Sequence, residues 1–309
     1  MGPAFARSGR RRGSKRHPAV AAVTCTALVG LAAGCGSSTP AATNPSTTSG
    51  SGRALTQTAS HSEAQGGGQP GQEPVPILMY HVIAEPPSGA PFPGLYVAPG
   101  EFAEQMHALK GAGWHAVTLD QVQAYWERGA PLGAGKPIVL TFDNGYRSQY
   151  TQALPVLREL GWVGDENIQL SGLPPSQGGL SPEQVRGLIA AGWELDTQGY
   201  SHANLPSLGA GELHYQVATT RRMLQQRYGV PVNWFCYPSG HYDASVLDAV
   251  KAAGFVGSTT VIPGWASPQE DRYRLHRLRV LGGTSGPALL SLIDSTRAAG
   301  PAPSEYTGA

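Results

Sequence analysis

Short apolar runs alternate with segments in which apolar residues recur every three or four positions. Ile77-Leu78-Met79-Tyr80 reads as a first strand ending at His81. Phe102, Met106 and Leu109 share one face of a helix over about 100–110. Trp114 to Leu119 reads as a second strand, and Ile138 to Phe142 as a third. A helix from near Ser148 to Leu160 follows, disturbed by Pro155. Ser181-Pro182-Glu183 opens the next helix, with Ser as cap and Pro in the first turn, running to Ala191. Trp193-Glu194-Leu195 is a strand, and 210–228 a long helix stopped by Gly229. Trp234 to Tyr237 is strand-like, and Asp243 caps a helix to Ala253. Strands near 256–260 and 278–281 and a helix near 288–297 complete the series. Such alternation predicts a parallel α/β sheet with right-handed crossovers.

The pattern breaks at both ends. Residues 1–35 carry a basic stretch (Arg7, Arg10, Arg11, Arg12, Lys15, Arg16) and then a small apolar run, Ala19 to Ala33, too short to span a bilayer. This is the form of an export signal. Its end, Leu31-Ala32-Ala33-Gly34-Cys35, resembles a bacterial lipobox, with Ala32 where that pattern prefers Leu. The resemblance makes Cys35 the lipidated N-terminus of a membrane-anchored lipoprotein on the outer face of the cytoplasmic membrane. An ordinary secretory signal is the alternative, and a twin-arginine signal lacks its usual Phe-Leu-Lys continuation. Residues 36–73, rich in Ser, Thr, Gly and Pro, read as a disordered linker. The globular domain is expected over 74–297, and 298–309 as a loose tail.

Charge and cysteines then narrow the partners. The chain has 22 basic and 21 acidic residues; loss of 1–35 removes six bases and no acid, leaving a net −5. That argues against nucleic acid. With Cys25 lost and Cys35 lipidated, only Cys236 remains, so no internal disulfide is available. Cys236 is expected as a small buried hydrophobe.

The candidate chemistry begins where the third strand meets turn formers: Ile138-Val139-Leu140-Thr141-Phe142-Asp143-Asn144-Gly145. A carboxylate at the C-terminal end of a core strand stands where α/β sheets display their active sites. The octet resembles the Thr-Phe-Asp-Asp-Gly motif of the polysaccharide deacetylases, the NodB-homology domains. That family implies a distorted (β/α) barrel and hydrolysis of the amide of N-acetylated glycans. Its first Asp is the general base, here Asp143. Its second binds a divalent metal, and here that position is Asn144.

Four further segments extend the resemblance. Val75 to His81 is similar to the opening strand of one branch of the family, making His81 a candidate general acid. Gly192 to Leu205 aligns with a Gly-x-Glu-Ile-x-x-His-Thr-x-x-His pattern, placing Gln198 on the first metal His and His202 on the second. Trp234 to Gly240 resembles the groove wall of the family, implicating Tyr237, Pro238 and Gly240, with a backbone N–H for an oxyanion. Tyr273 to Val280 resembles its Arg-bearing strand, where Arg277 either holds the catalytic carboxylate or makes a structural ion pair. The family often has Ala-Thr-Phe-Phe where this chain has the far more polar Asp165-Glu166-Asn167-Ile168.

The implied cofactor is zinc. Asn144, Gln198 and His202 would form a weak, degenerate set, since zinc favours imidazole, thiolate and carboxylate over amide oxygen. Two further readings stand beside the deacetylase: a non-catalytic glycan-binding lipoprotein, and a lipoprotein with a structural or partner-binding role.

Overall fold

The apolar runs pair into one parallel sheet of eight strands. A computed structural model describes residues 68–173, 178–298 and 300–308. The expected export signal, Cys35 and nearly all of the 36–73 linker lie outside those residues. The strands are β1 (Ile77–Tyr80), β2 (Trp114–Val117), β3 (Lys136–Asn144), β4 (Asp165–Ile168), β5 (Glu194–Thr197), β6 (Trp234–Cys236), β7 (Gly257–Thr259) and β8 (Leu278–Arg279). Their order is β7-β6-β5-β4-β3-β1-β8, with β2 also on β3. Val139 pairs with Ile77 and Val117, while Thr141 pairs with Met79 and Asp165. Hence β2 and β4 share one edge of β3 and β1 holds the other. The ends of the path are also bridged: Leu275, just ahead of β8, pairs in parallel with Thr259. The sheet curls into the distorted barrel that the family resemblance implies.

Alternation along the strands separates two cores. Ile77, Val117, Leu119, Val139, Trp234 and Leu275 pack inside the curl. Leu78, Tyr80, Leu140, Phe142 and Leu195 face outward and pack under the helices. The covering helices are α1 (Pro99–Gly111), α2 (Leu119–Arg128), α3 (Leu154–Leu160), α4 (Pro182–Ala190), α5 (Ala210–His214), α6 (Thr220–Tyr228), α7 (Ala244–Ala252) and α8 (Gly286–Ser295). None among the described residues is long and apolar enough to cross a membrane.

Local chemistry sets the boundaries. The second strand stops at Val117, two residues before the expected end, because Thr118 and Gln121 form a capping box that starts α2. That helix is not legible in the apolar pattern. A π turn at Gln149–Ala153 precedes α3, where Pro155 supplies no N–H. A second π turn, Tyr215–Thr219, joins α5 to α6, so 210–228 is one continuous helical stretch.

Both ends of the domain differ from the compositional reading. Gly71 N–H donates to Tyr125 O and Trp126 Nε1 donates to Glu73 O, so the chain is tied down ahead of Pro74. The C-terminal stretch reads as loose from composition, yet Tyr306 exchanges two backbone hydrogen bonds with Tyr242. Tyr242 Oη and Arg274 Nη1 both donate to Pro303 O. Backbone docking of this kind leaves no periodic trace in a sequence.

Candidate active site

Asp143 is the penultimate residue of β3 and points into the curl, where it is 1 % exposed. A lone carboxylate there would be expensive. Arg277 compensates it with a bidentate pair, Nη1 to Oδ1 at 2.8 Å and Nη2 to Oδ2 at 3.0 Å. The same guanidinium donates Nε to Thr260 O and Nη1 to Thr141 Oγ1. Asn167 Nδ2 adds a further bond to Oδ1 at 2.9 Å, and Cys236 Sγ lies 3.6 Å from Oδ2. Burial pushes the Asp143 carboxyl up, but Arg277, with His81 and Asn167, outweighs it and brings the pKa down to about 2. Asp143 is therefore ionised at neutral pH.

His81 follows β1, and its Nε2 lies 4.0 Å from Asp143 Oδ2. Its Nδ1 is buried without a partner. Burial lowers its pKa to about 4 against the opposing pull of Asp143, with Arg277, Arg279 and His202 adding to the fall. The ring is neutral at pH 7. Gln149, on the π turn before α3, ties the two strand ends together: its Nε2 donates to His81 O at 2.9 Å and to Asp143 O at 2.8 Å.

These groups open into one pocket of about 470 Å³. Asn144, Gln198, His202, Tyr237 and Gly240 line it with His81 and Asp143. Pro238 is buried in the turn between Tyr237 and Gly240 and is not among the lining residues. The Tyr237 N–H, within the segment implied by the family to offer an oxyanion donor, makes a long 3.4 Å bond to Thr259 O. Phe92 stands at the rim, 69 % exposed. The described non-glycine residues with positive φ are Asn144 (79°), His202 (54°) and Ser239 (55°), and all three line this pocket. Left-handed backbone costs little for Asn but about 1 kcal/mol or more for most residues. Its clustering marks a site whose shape is imposed by its surroundings.

The metal positions come together but do not fit zinc. Gln198 Oε1 is buried and without a partner, aimed at nothing protein can offer. His202 is kept neutral, chiefly by burial, as a ligand must be. Yet Asn144 and Gln198 contribute neutral amides where zinc needs anionic or imidazole donors. One imidazole and two amides do not make a catalytic zinc shell.

The sequence gives no role to Gln149, or to Gln169 and Arg279, which also line the pocket. Asn167 had a signal in the polar run of β4; Gln149 had none, since only the fold carries it to two strand ends. Cys236 is buried, and burial raises its thiol to about 12, so it is inert beside Arg277.

Comparison with known proteins places this geometry. The polysaccharide deacetylase family model matches residues 133–258. YxkH of Bacillus subtilis (strain 168), named for the same family, is 28% identical over 224 residues, covering 72% of this chain and 77% of that protein. The poly-beta-1,6-N-acetyl-D-glucosamine N-deacetylase of Escherichia coli (strain K12) is 39% identical over 59 residues, 19% of this chain and 9% of its own length. The solved structure of the Streptococcus pyogenes deacetylase PplD in complex with acetate superposes with a TM-score of 0.66 at 24% identity, over 72% of this chain and 99% of that one. The family model, these relatives and the superposed fold are all those of polysaccharide deacetylases, which this chain resembles.

Proposed function

We propose that this protein is a polysaccharide deacetylase acting on the amide of N-acetylated glycans, held outside the cytoplasmic membrane by lipid on Cys35. The observation that carries the chemistry is the ionised Asp143, clamped by Arg277, with the neutral His81 ring 4.0 Å away at the floor of an open pocket. The relative named for poly-N-acetylglucosamine supports the substrate class. The exposed Phe92 at the rim offers a face for a sugar ring.

Amide hydrolysis needs a water deprotonated and an amine protonated. The resemblance assigns these to Asp143 and His81. In this pocket the two act as a pair. An acceptor with a pKa of about 4 takes a proton more readily than one of about 2. The water oxygen bonds to the acetyl carbon while its proton goes to His81. Asp143 stabilises the imidazolium so formed. The adduct then collapses, the C–N bond breaks, and His81 returns the proton to the leaving nitrogen. The products are acetate and a free amine. No step is routed through zinc, whose donor set is incompatible with Asn144 and Gln198, so turnover is expected to be slow.

The same two amides favour a second reading, a glycan-binding protein that keeps the groove without catalysis. Acetate release from N-acetylglucosamine oligomers separates the two. Release that falls by about 10²-fold or more in His81→Ala, by the usual size of proton-transfer catalysis, supports the hydrolase. Binding of the oligomer with no release from the unaltered protein supports the second reading.

A further inference from the structure

The polar run of β4 carries a feature that the reaction does not use. Register places Asp165 beside Glu194, and Asn167 beside Asp196, on the inner face of the curl. Oxygens of Asp165, Glu194 and Asp196 all lie within 4.8 Å of one another. Asp165 and Asp196 are fully buried. Register sets Asp165 and Glu194 in the row of Thr141, one layer deeper than Asp143, and Asp196 in the row of Asn167 and Asp143.

Three carboxylates so placed need compensation, and the protein supplies only part of it: Leu119 N–H and the Glu194 carboxyl reach toward Asp165, Thr118 toward Glu194 and Asn233 N–H toward Asp196. Asp196 Oδ1 accepts from Trp234 N at 2.8 Å, and Glu194 Oε2 from Asp120 N at 3.1 Å. Both oxygens of Asp165, Oδ2 of Asp196 and Oε1 of Glu194 make no well-formed hydrogen bond. No Lys or Arg forms an ion pair with any of the three among the described residues. The neighbouring acid Asp120 is already taken by Asn233 Nδ2 and Trp234 Nε1. Arg221, which feels the charge of Asp196, directs Nε and Nη1 to the carbonyls of Val232 and Ala253.

An independent group points to the same place. Asn167 is 1 % exposed, and its Nδ2 is committed to Asp143 Oδ1. Its Oδ1 is therefore an acceptor, buried and unpartnered, at the register position next to Asp196. Unsatisfied buried oxygens without a donor are what a cation site looks like when protein alone is counted.

We propose that Asp165, Glu194 and Asp196 bind a hard divalent cation of the calcium or magnesium class inside the barrel, beneath the pocket and separate from Asn144, Gln198 and His202. Carboxylate oxygens suit such ions rather than soft or imidazole-seeking metals. Through Asn167 the ion braces the Asp143 carboxylate from below. The rival arrangement shares protons instead. Burial raises all three acids; Glu194 and Asp196 repel Asp165, Glu194 and Asp120 repel Asp196, and Asp120 repels Glu194, which is raised to about 7.

The test uses the purified full-length protein, stripped with chelator and titrated at pH 7 with calcium, magnesium or zinc chloride. Calorimetry and thermal melts are read together. One equivalent of calcium or magnesium per chain, with a rise in Tm from preferential binding to the native state, is expected. Asp165→Asn and Asp196→Asn should each weaken it by at least about tenfold, while His202→Ala should leave it intact. If the unaltered protein shows neither heat nor a Tm shift, the acids share protons and the proposal fails. It fails equally if His202→Ala abolishes binding and Asp165→Asn does not.

Discussion

Arg277 meets Asp143 through two parallel hydrogen bonds of 2.8 and 3.0 Å, and both side chains are almost wholly buried. The pair joins the approach to β8 to the tip of β3, 134 residues apart. It supports the fold and sets the charge of the site in the same contact. Removing one partner strands the other charge in a low-dielectric interior.

Arg277→Met should therefore destabilise the protein by about 3–5 kcal/mol. Chemical denaturation at pH 7 measures this. Arg277→Met combined with Asp143→Leu should recover much of the loss, because no buried charge is left uncompensated. Equal destabilisation by the single and double variants would refute the account.

Acid should weaken the native state through His81. Its pKa is about 4 folded, against an ordinary 6.5. Between those values the unfolded chain takes a proton that the native ring refuses. Stability therefore rises with pH across this window, and falls by about 3 kcal/mol as pH drops from 6.5 to 4. Asp143 adds a second loss lower down: its contribution is present above 3.8 and disappears as pH falls through about 2. Denaturation curves of the unaltered protein and His81→Gln at several pH values isolate the first effect. Their difference should shrink steadily below pH 6.5.

The amides at Asn144 and Gln198 predict weak zinc affinity. Asn144→Asp with Gln198→His restores one carboxylate and one imidazole beside His202. Affinity should then rise by several orders of magnitude, on the order of 3–6 kcal/mol. Zinc per chain after dialysis checks this. Stoichiometric zinc in the unaltered protein would contradict the reading of the donor set.

Anchoring through Cys35 is tested by metabolic lipid labelling. Cys35→Ser should abolish the label and release the protein from the membrane fraction. Unchanged labelling would point to an ordinary secretory signal.

The sequence by itself determined most of the strand and helix series, α2 and the polar β4 excepted, because periods of two and near 3.6 are written directly in the spacing of apolar residues. It also determined where chemistry concentrates. The turn formers after Phe142 and before His202 mark the ends of core strands. Caps at Ser181 and Asp243 were legible for the same reason, since a cap acts within a few residues of chain. What only the tertiary structure decided is long-range and electrostatic. That Arg277 clamps Asp143, that Gln149 ties two strand ends, and that Asn167 lies between Asp143 and an acid trio all depend on strand register. Register also turned Asp165 and Asn167 of β4 inward, where an isolated sequence reads them only as a departure from pattern. The states of His81 and Asp143 follow from burial and from neighbours brought across more than a hundred residues, and no local spacing encodes either.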